Sequence, residues 1–289
     1  SNVSASTFNT LNLAQYIEGL VTGPDNYPGW IALDGYQYSS GLYLPAYAFT
    51  TLTLAKGYNY YDVDDNTFTF TGTINVSNRS VPVTSGTGYP DFQGYNLIGN
   101  PFASCLDWDY LIANFPPAFV NNAIYFTNNG TISSYVGGIG DNGGTGIIPP
   151  LQGFFIKTEG NTNVSLRAAA RTHFVDQLRY KKGPEELSKS SDTISFVRLM
   201  LENSTDTTDL VVRFNEKATS GVDKLFDAYE FSKTTGAVNI WTTIGNVSYG
   251  INGLPFPGTK VEIPVGLYVK NSGTFRLSLS ELNKLDSYN

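Results

Sequence analysis

Residues 94–109 read GYNLIGNPFASCLDWD, and the reading of this stretch decides whether the chain is built around a catalytic centre or around a corner between strands. Tyr95, Leu97 and Ile98 make a strand. Asn100 precedes Pro101, and a residue before proline is pushed out of the helical region, so the strand ends and the chain turns. Asp107 then has the chemistry of a helix N-cap. Asp109 falls in the first turn, near the positive end of the helix dipole, and Pro116-Pro117 supply a stop. This predicts a short helix over 108–114, with Leu111, Ile112 and Phe115 turned inward. The competing reading makes Asp107 and Asp109 an acid and base pair of the glycosidase kind, whose carboxyls stand about 5 to 9 Å apart. Neighbours two apart at a helix start point in different directions, so that reading needs partners from elsewhere in the chain, and the corner is preferred.

Working outward, short alternating runs punctuated by Gly, Asn and Pro clusters occur at 58–61, 67–74, 80–84, 95–98, 123–126, 153–158 and 163–166. A second series lies at 193–202, 210–214, 228–231, 238–243, 260–265, 266–270 and 275–279. Between the two series, KKGPEELSKSSD at 181–192 is charged, small and nearly free of apolar residues. Only 15% of the 289 residues are charged while 14% are aromatic, a balance suited to strands joined by turns. The expected fold class is therefore all-β, with two tandem antiparallel β-sandwich domains of jelly-roll or Ig-like type: residues 1–180, a linker at 181–192, and residues 193–289. An echo between GFFIKTEG at 153–160 and GLYVKNSG at 266–273 predicts two similar hairpin strands, each with a lysine whose tip reaches solvent beside a turn.

A net charge of −7 leaves no basic surface to displace counterions, which argues against nucleic acid as a partner. No apolar run approaches the ~20 residues needed to cross a bilayer as a helix. One cysteine, Cys105, excludes an internal disulfide, and one histidine, His173, excludes a multi-histidine metal centre. The expected state of Cys105 is a small buried apolar residue. No catalytic residue is assigned, and the chain is expected not to be an enzyme.

Three other stretches invite a site. Asp62, Asp64 and Asp65 in DVDDN are the candidate calcium ligands, because alternating oxygen side chains on a turn can wrap a hard cation; a metal-free acidic hairpin tip is the competing state. No other cofactor is expected. GGIGDNGGTG at 137–146 lacks the lysine of a phosphate-binding loop and reads as a mobile loop. Aromatics are dense in GYQYSSGLYLPAYAF and YNYYD, and Tyr58 and Tyr60 are the candidate glycan-binding residues, as flat apolar platforms with polar neighbours.

GYNLIGNPFASCLDWD, followed by IIPPLQGFFIKTEG and then Arg171 and His173, resembles a module recurrent in Bacteroidetes proteins exported by the type IX secretion system. Residues 193–289 resemble the next β-sandwich of the same proteins. The resemblance covers about residues 50–285 and implies an exported, cell-surface or released protein, whose partners are the outer-membrane translocon and its carrier proteins, and surface glycans or proteins. It also implies a further strand pair and a sorting domain beyond the last residue given. Asp192-Thr193-Ile194 and Asp206-Thr207-Thr208 resemble the O-glycosylation sites of such exports, with Thr193 and Thr207 as acceptors. The expected function is a non-catalytic structural or adhesive surface protein; the alternative is a glycan-binding module of a surface protein or secreted hydrolase.

Overall fold

The computed structural model describes residues 3–4, 12–21, 29–61, 70, 72–86, 89, 91–128, 131–173, 193–230, 237–258 and 260–285. Along the chain come β1 (Val3–Ser4), β2 (Leu13–Tyr16), β3 (Trp30–Ala32), β4 (Thr51–Leu52), β5 (Asn59–Tyr60), β6 (Arg79–Val83), β7 (Tyr95–Gly99) and β8 (Cys105–Asp107). The helix α1 (Trp108–Asn114) precedes β9 (Val120–Asn128), β10 (Thr131–Val136) and β11 (Ile139–Gly140). Four strands follow: β12 (Ile147–Ile148), β13 (Gly153–Thr158), β14 (Thr162–Leu166) and β15 (Arg171–Thr172). The last series is β16 (Ser195–Glu202), β17 (Thr207–Phe214), β18 (Ala228–Tyr229), β19 (Val238–Ile244), β20 (Val247–Leu254), β21 (Val265–Val269) and β22 (Arg276–Asn283). The chain is all-β, as its composition indicates, and nearly all its strand pairs are antiparallel; β17 and β20 run parallel.

Two compact units form, and neither is one continuous segment. The first comprises residues 1–121 and 147–179, the second 122–146 and 180–289. A single division at 181–192 assigns 122–146 to the first domain; by contact those residues group with the second unit. The linker itself lies outside the described residues.

In the first unit β7 pairs with β13, placing Ile98 opposite Phe154. Phe154, Phe155 and Ile156 are all buried, and the rings of Tyr16, Trp30 and Phe155 meet edge to face at 5.0–6.0 Å, a geometry that suits the ring quadrupoles. The residue just before β7 is Gly94 for a steric reason. Gly94 has φ +80°, and a Cβ there would fall 1.9 Å from the Thr158 carbonyl oxygen. The buried Glu18 carboxylate accepts from the Gly94 and Gly86 amides at 2.9 Å, satisfying donors that this close approach removes from water.

The corner follows. Asn100 is 3% exposed, and its amide nitrogen donates to the carbonyls of Ser104, Ile148 and Pro149 at 2.9–3.0 Å while its oxygen accepts from the Phe102 amide. The α1 helix has the bounds expected of it, and Asp107 Oδ1 accepts from the Tyr110 amide at 2.9 Å. Trp108 and Leu111 are fully buried, Trp108 edge-to-face on Phe154 at 5.7 Å. Asp107→Ala should therefore destabilise by about 0.5 to 2 kcal/mol and Asp107→Asn by much less, since Asn also caps. Urea midpoints check this; an Asn variant as unstable as Ala would show that the charge matters more than the cap.

In the second unit β9, β10 and β11 form an antiparallel meander. The larger sheet runs β21-β19-β20-β17-β16-β22, with β18 beside β20. A bulge at Ser280 shifts the β16–β22 register, so that Arg198 faces Glu281 and Leu199 faces Leu279. The expected strand over 260–265 is absent up to Pro264. Pro255, Pro257 and Pro264 remove the amide donors a ladder needs. Of the expected strand at 67–74, residues 67–69 and 71 lie outside the description, and 72–74 are not in a strand.

Candidate functional site

In the opening stretch Asp107 caps α1 and Asp109 is exposed in its first turn. Cys105 is buried and unbonded to other cysteines. Pairing of β8 with β15 sets Thr172 opposite Cys105, which brings His173 close in the chain, yet His173 is exposed. Successive strand residues point to opposite faces, so Thr172 and not His173 shares the cysteine's side.

A buried charged network occupies the second unit. Arg198, 7% exposed, pairs with Asp209 through Nη1 and with Glu281 through Nε at 3.2 Å, and Nη1 also donates to the Gly140 carbonyl at 3.0 Å. Arg213 donates to the carbonyls of Val136 and Gly137. The glycine-rich 137–146 is thus packed, contrary to its reading as a mobile loop. Asn142 and Asp209 exchange hydrogen bonds, and Gly144 lies so close to Ser134 that a Cβ would sit 1.9 Å from its carbonyl oxygen. Here glycine serves close backbone approach.

Burial, then the neighbouring Asp209 and Glu230, push the Asp141 carboxyl well above the usual range. Asp227 is pushed up to about 6, chiefly by burial, although both its oxygens accept from backbone amides, those of Asp223 and Gly253 at 2.6 Å. A carboxyl whose folded pKa is raised contributes stability that is complete below its unfolded pKa and is lost as pH rises through the folded one. Lowering the pH from about 7.5 to about 5 should therefore stabilise the second unit by about 1 kcal/mol from Asp227 alone. Asp227→Asn should flatten that slope; a wild-type midpoint that falls on acidification over this range would contradict the assignment.

The side chains that stand out to solvent are elsewhere. Residues 34–44 form a tight loop in which the Gln37 amide donates to Leu42 O at 2.9 Å, the Gly41 amide to Gln37 O at 2.9 Å, and the Leu44 amide to Gly35 O at 2.8 Å. Ser40 Oγ bonds Gln37 Oε1 and receives the Leu42 amide. Positive φ at Gly35 and Gly41 permits the reversal. This frame holds Tyr36, Tyr38, Leu42 and Tyr43 each more than 40% exposed, with the Tyr36 and Tyr43 rings 4.9 Å apart. Burial of part of its ring and the nearby Asp34 raise the Tyr38 phenol. The arrangement is a rigid aromatic platform with Asp34, Gln37 and Ser40 at its rim, able to stack on an apolar face and hydrogen-bond around it.

Tyr58 and Tyr60, the residues singled out in the sequence, are half-buried instead, packed against Leu13 with Leu33, Phe49 and Leu52. The Tyr58 hydroxyl accepts from the Thr53 amide at 2.8 Å. The usable signal was in the other aromatic run, where Gly35 and Gly41 bracket Tyr36 and Tyr38 with Gln and Ser between them and Asp34 just before. Asp62, Asp64 and Asp65 lie outside the described residues, among which no group of three or more His, Cys, Asp or Glu could hold a metal ion. Thr193 and Thr207 are both exposed. Among the described residues no helix is long and apolar enough to cross a membrane.

Residues 113–287 match the family described as Domain of unknown function (DUF8693). The chain belongs to this family. The DUF8693 match begins inside α1, so it leaves out the Asn100 corner and the tyrosine loop and takes in β9 to β22. No curated protein and no solved structure matches the chain.

Proposed function

We propose that the protein is a non-catalytic, exported protein with a structural or adhesive role, carried across the outer membrane by the type IX system through its translocon and carrier proteins and displayed at the surface or released. The export route rests on the likeness of GYNLIGNPFASCLDWD, QGFFIKTEG and their neighbours to modules of such cargo. The adhesive role rests on one observation: the 34–44 loop spends a dense set of backbone bonds on holding three tyrosines and a leucine in water. Apolar surface held rigidly in solvent marks a contact site.

The same loop favours a second reading, a glycan-binding module, since ring faces with a polar rim suit a sugar. Two experiments separate the parts. Cell fractionation with and without a working type IX translocon tests export; protein that stays cytoplasmic in both strains would refute it. A glycan array tests the second reading: specific binding lost in Tyr36→Ala with Tyr43→Ala, and kept in Tyr58→Ala, supports it. Binding that depends on Tyr58 alone would move the site away from this loop.

A further inference from the structure

The large sheet of the second unit has an apolar face that is dry in its middle and wet at its margins. Leu201, Leu210, Val238 and Ile240 are buried together, with Leu199 and Phe275 packed on them. The register places Val269 opposite Val238 and Leu267 opposite Ile240, so β21 continues that face. Yet Val265, Leu267 and Val269 are 39%, 50% and 41% exposed. β21 is an edge strand, and among the described residues no strand bonds to its outer side.

Its backbone is open as well. The Lys270 amide donates to the Ala237 carbonyl at 2.9 Å, and in an antiparallel ladder the bonded pairs recur at every second residue. Tyr268 and Gly266 therefore bond inward to β19, and Val265, Leu267 and Val269 direct their amides and carbonyls outward. Soluble proteins guard such edges with charges, prolines or bulges. The opposite edge, β22, has its bulge at Ser280, and Arg276 and Glu281 are each ion-paired. β21 reads VGLYV and carries no charge.

We propose that β21 is a self-association edge, pairing antiparallel with β21 of a second copy about a twofold axis through Leu267. The strand is nearly palindromic about that residue. In this register Val265 faces Val269 of the other copy and Leu267 faces its own equivalent, so all the outward amides and carbonyls find partners. On the other face Gly266 meets Tyr268, small against large, and the Gly266 backbone already lies under the Trp241 indole, where a Cβ would come within 2.3 Å of Nε1. Lys270 falls opposite Pro264 of the other copy, so no like charges are opposed. A five-residue edge buries roughly 600 to 1,000 Å² in all, the low end for specific interfaces, so the dimer forms reversibly and with concentration. This inference concerns assembly and does not depend on the export or adhesive reading.

The test uses the full 289-residue chain. Directly opposed residues of a bonded antiparallel pair have Cα atoms about 5.5 Å apart, within the span of a disulfide. Leu267→Cys under mild oxidation should give a covalent dimer at least about tenfold faster than Leu279→Cys or Val269→Cys, because only residue 267 meets itself. Cys105 is buried and serves as an internal blank. In sedimentation Leu267→Lys should be monomeric with an unchanged circular dichroism spectrum, while the wild type dimerises as concentration rises. Equal cross-linking at 267 and 279, a wild type that stays monomeric at concentrations of about 1 mM, or an edge occupied by a strand of a different protein would each overturn the proposal.

Discussion

Trp108→Ala should lower the unfolding free energy by about 3 to 5 kcal/mol, more than any change at the two acids beside it. The indole is fully buried at the first position of α1 and meets Phe154, near the start of β13, edge to face. Its loss opens a cavity between the helix and the strand, and a helix of seven residues has little intrinsic stability with which to hold its place. Denaturant melts with an unchanged m-value would report the loss cleanly. A near-neutral Trp108→Ala together with a large effect from Asp107→Asn would mean that the stretch is organised around its carboxylates after all.

A comparable loss, about 3 to 5 kcal/mol, is expected from Arg198→Met, for an electrostatic reason. Removing the guanidinium leaves Asp209 buried without its counter-charge, beside Asp141, and strips a donor from the Gly140 carbonyl. Replacing both partners, Arg198→Met with Asp209→Leu, should recover a good part of the loss, because the uncompensated charge disappears with its partner. Recovery is incomplete, since the Asn142 amide also gives its hydrogen to Asp209. The double-mutant cycle therefore returns a strong coupling. Additive losses would mean that the two side chains act independently and that the ion pair is incidental to the packing of residues 137–146.

What could be read in advance was whatever local chemistry determines. The bounds of β13 and α1 and the cap at Asp107 follow from alternation, a pre-proline turn and capping preference, all acting within a few residues. Asn100 shows the limit. Its place before Pro101 announces a turn, but two of the three carbonyls it clamps belong to Ile148 and Pro149, nearly fifty positions on. The echo between 153–160 and 266–273 fails in an instructive way. β13 is buried and Lys157 lies over the Tyr95 ring at 4.3 Å, its ammonium held at about 8 by burial, whereas β21 is an exposed edge with Lys270 in solvent. The alternation that marks a strand does not say whether that strand is central or marginal. Tyr58 and Tyr60 against Tyr36 and Tyr43 repeat the point, because exposure is decided by distant neighbours such as Leu13.

The interleaved membership of residues 122–146 bears on how the molecule can be made at all. A nascent chain emerges vectorially from the ribosome, so the β10–β11 hairpin appears before Arg198, Asp209 and Arg213, the side chains that anchor it. Until β17 has followed, Asp141, Val136 and Ile139, all buried in the finished unit, have no interior to enter. Such non-local closure slows folding and leaves an adhesive intermediate in the meantime. A gene cut at the apparent linker, 181–192, would make that interim permanent: the N-terminal fragment keeps the hairpin but never receives the sheet that covers it, and should be recovered as aggregate.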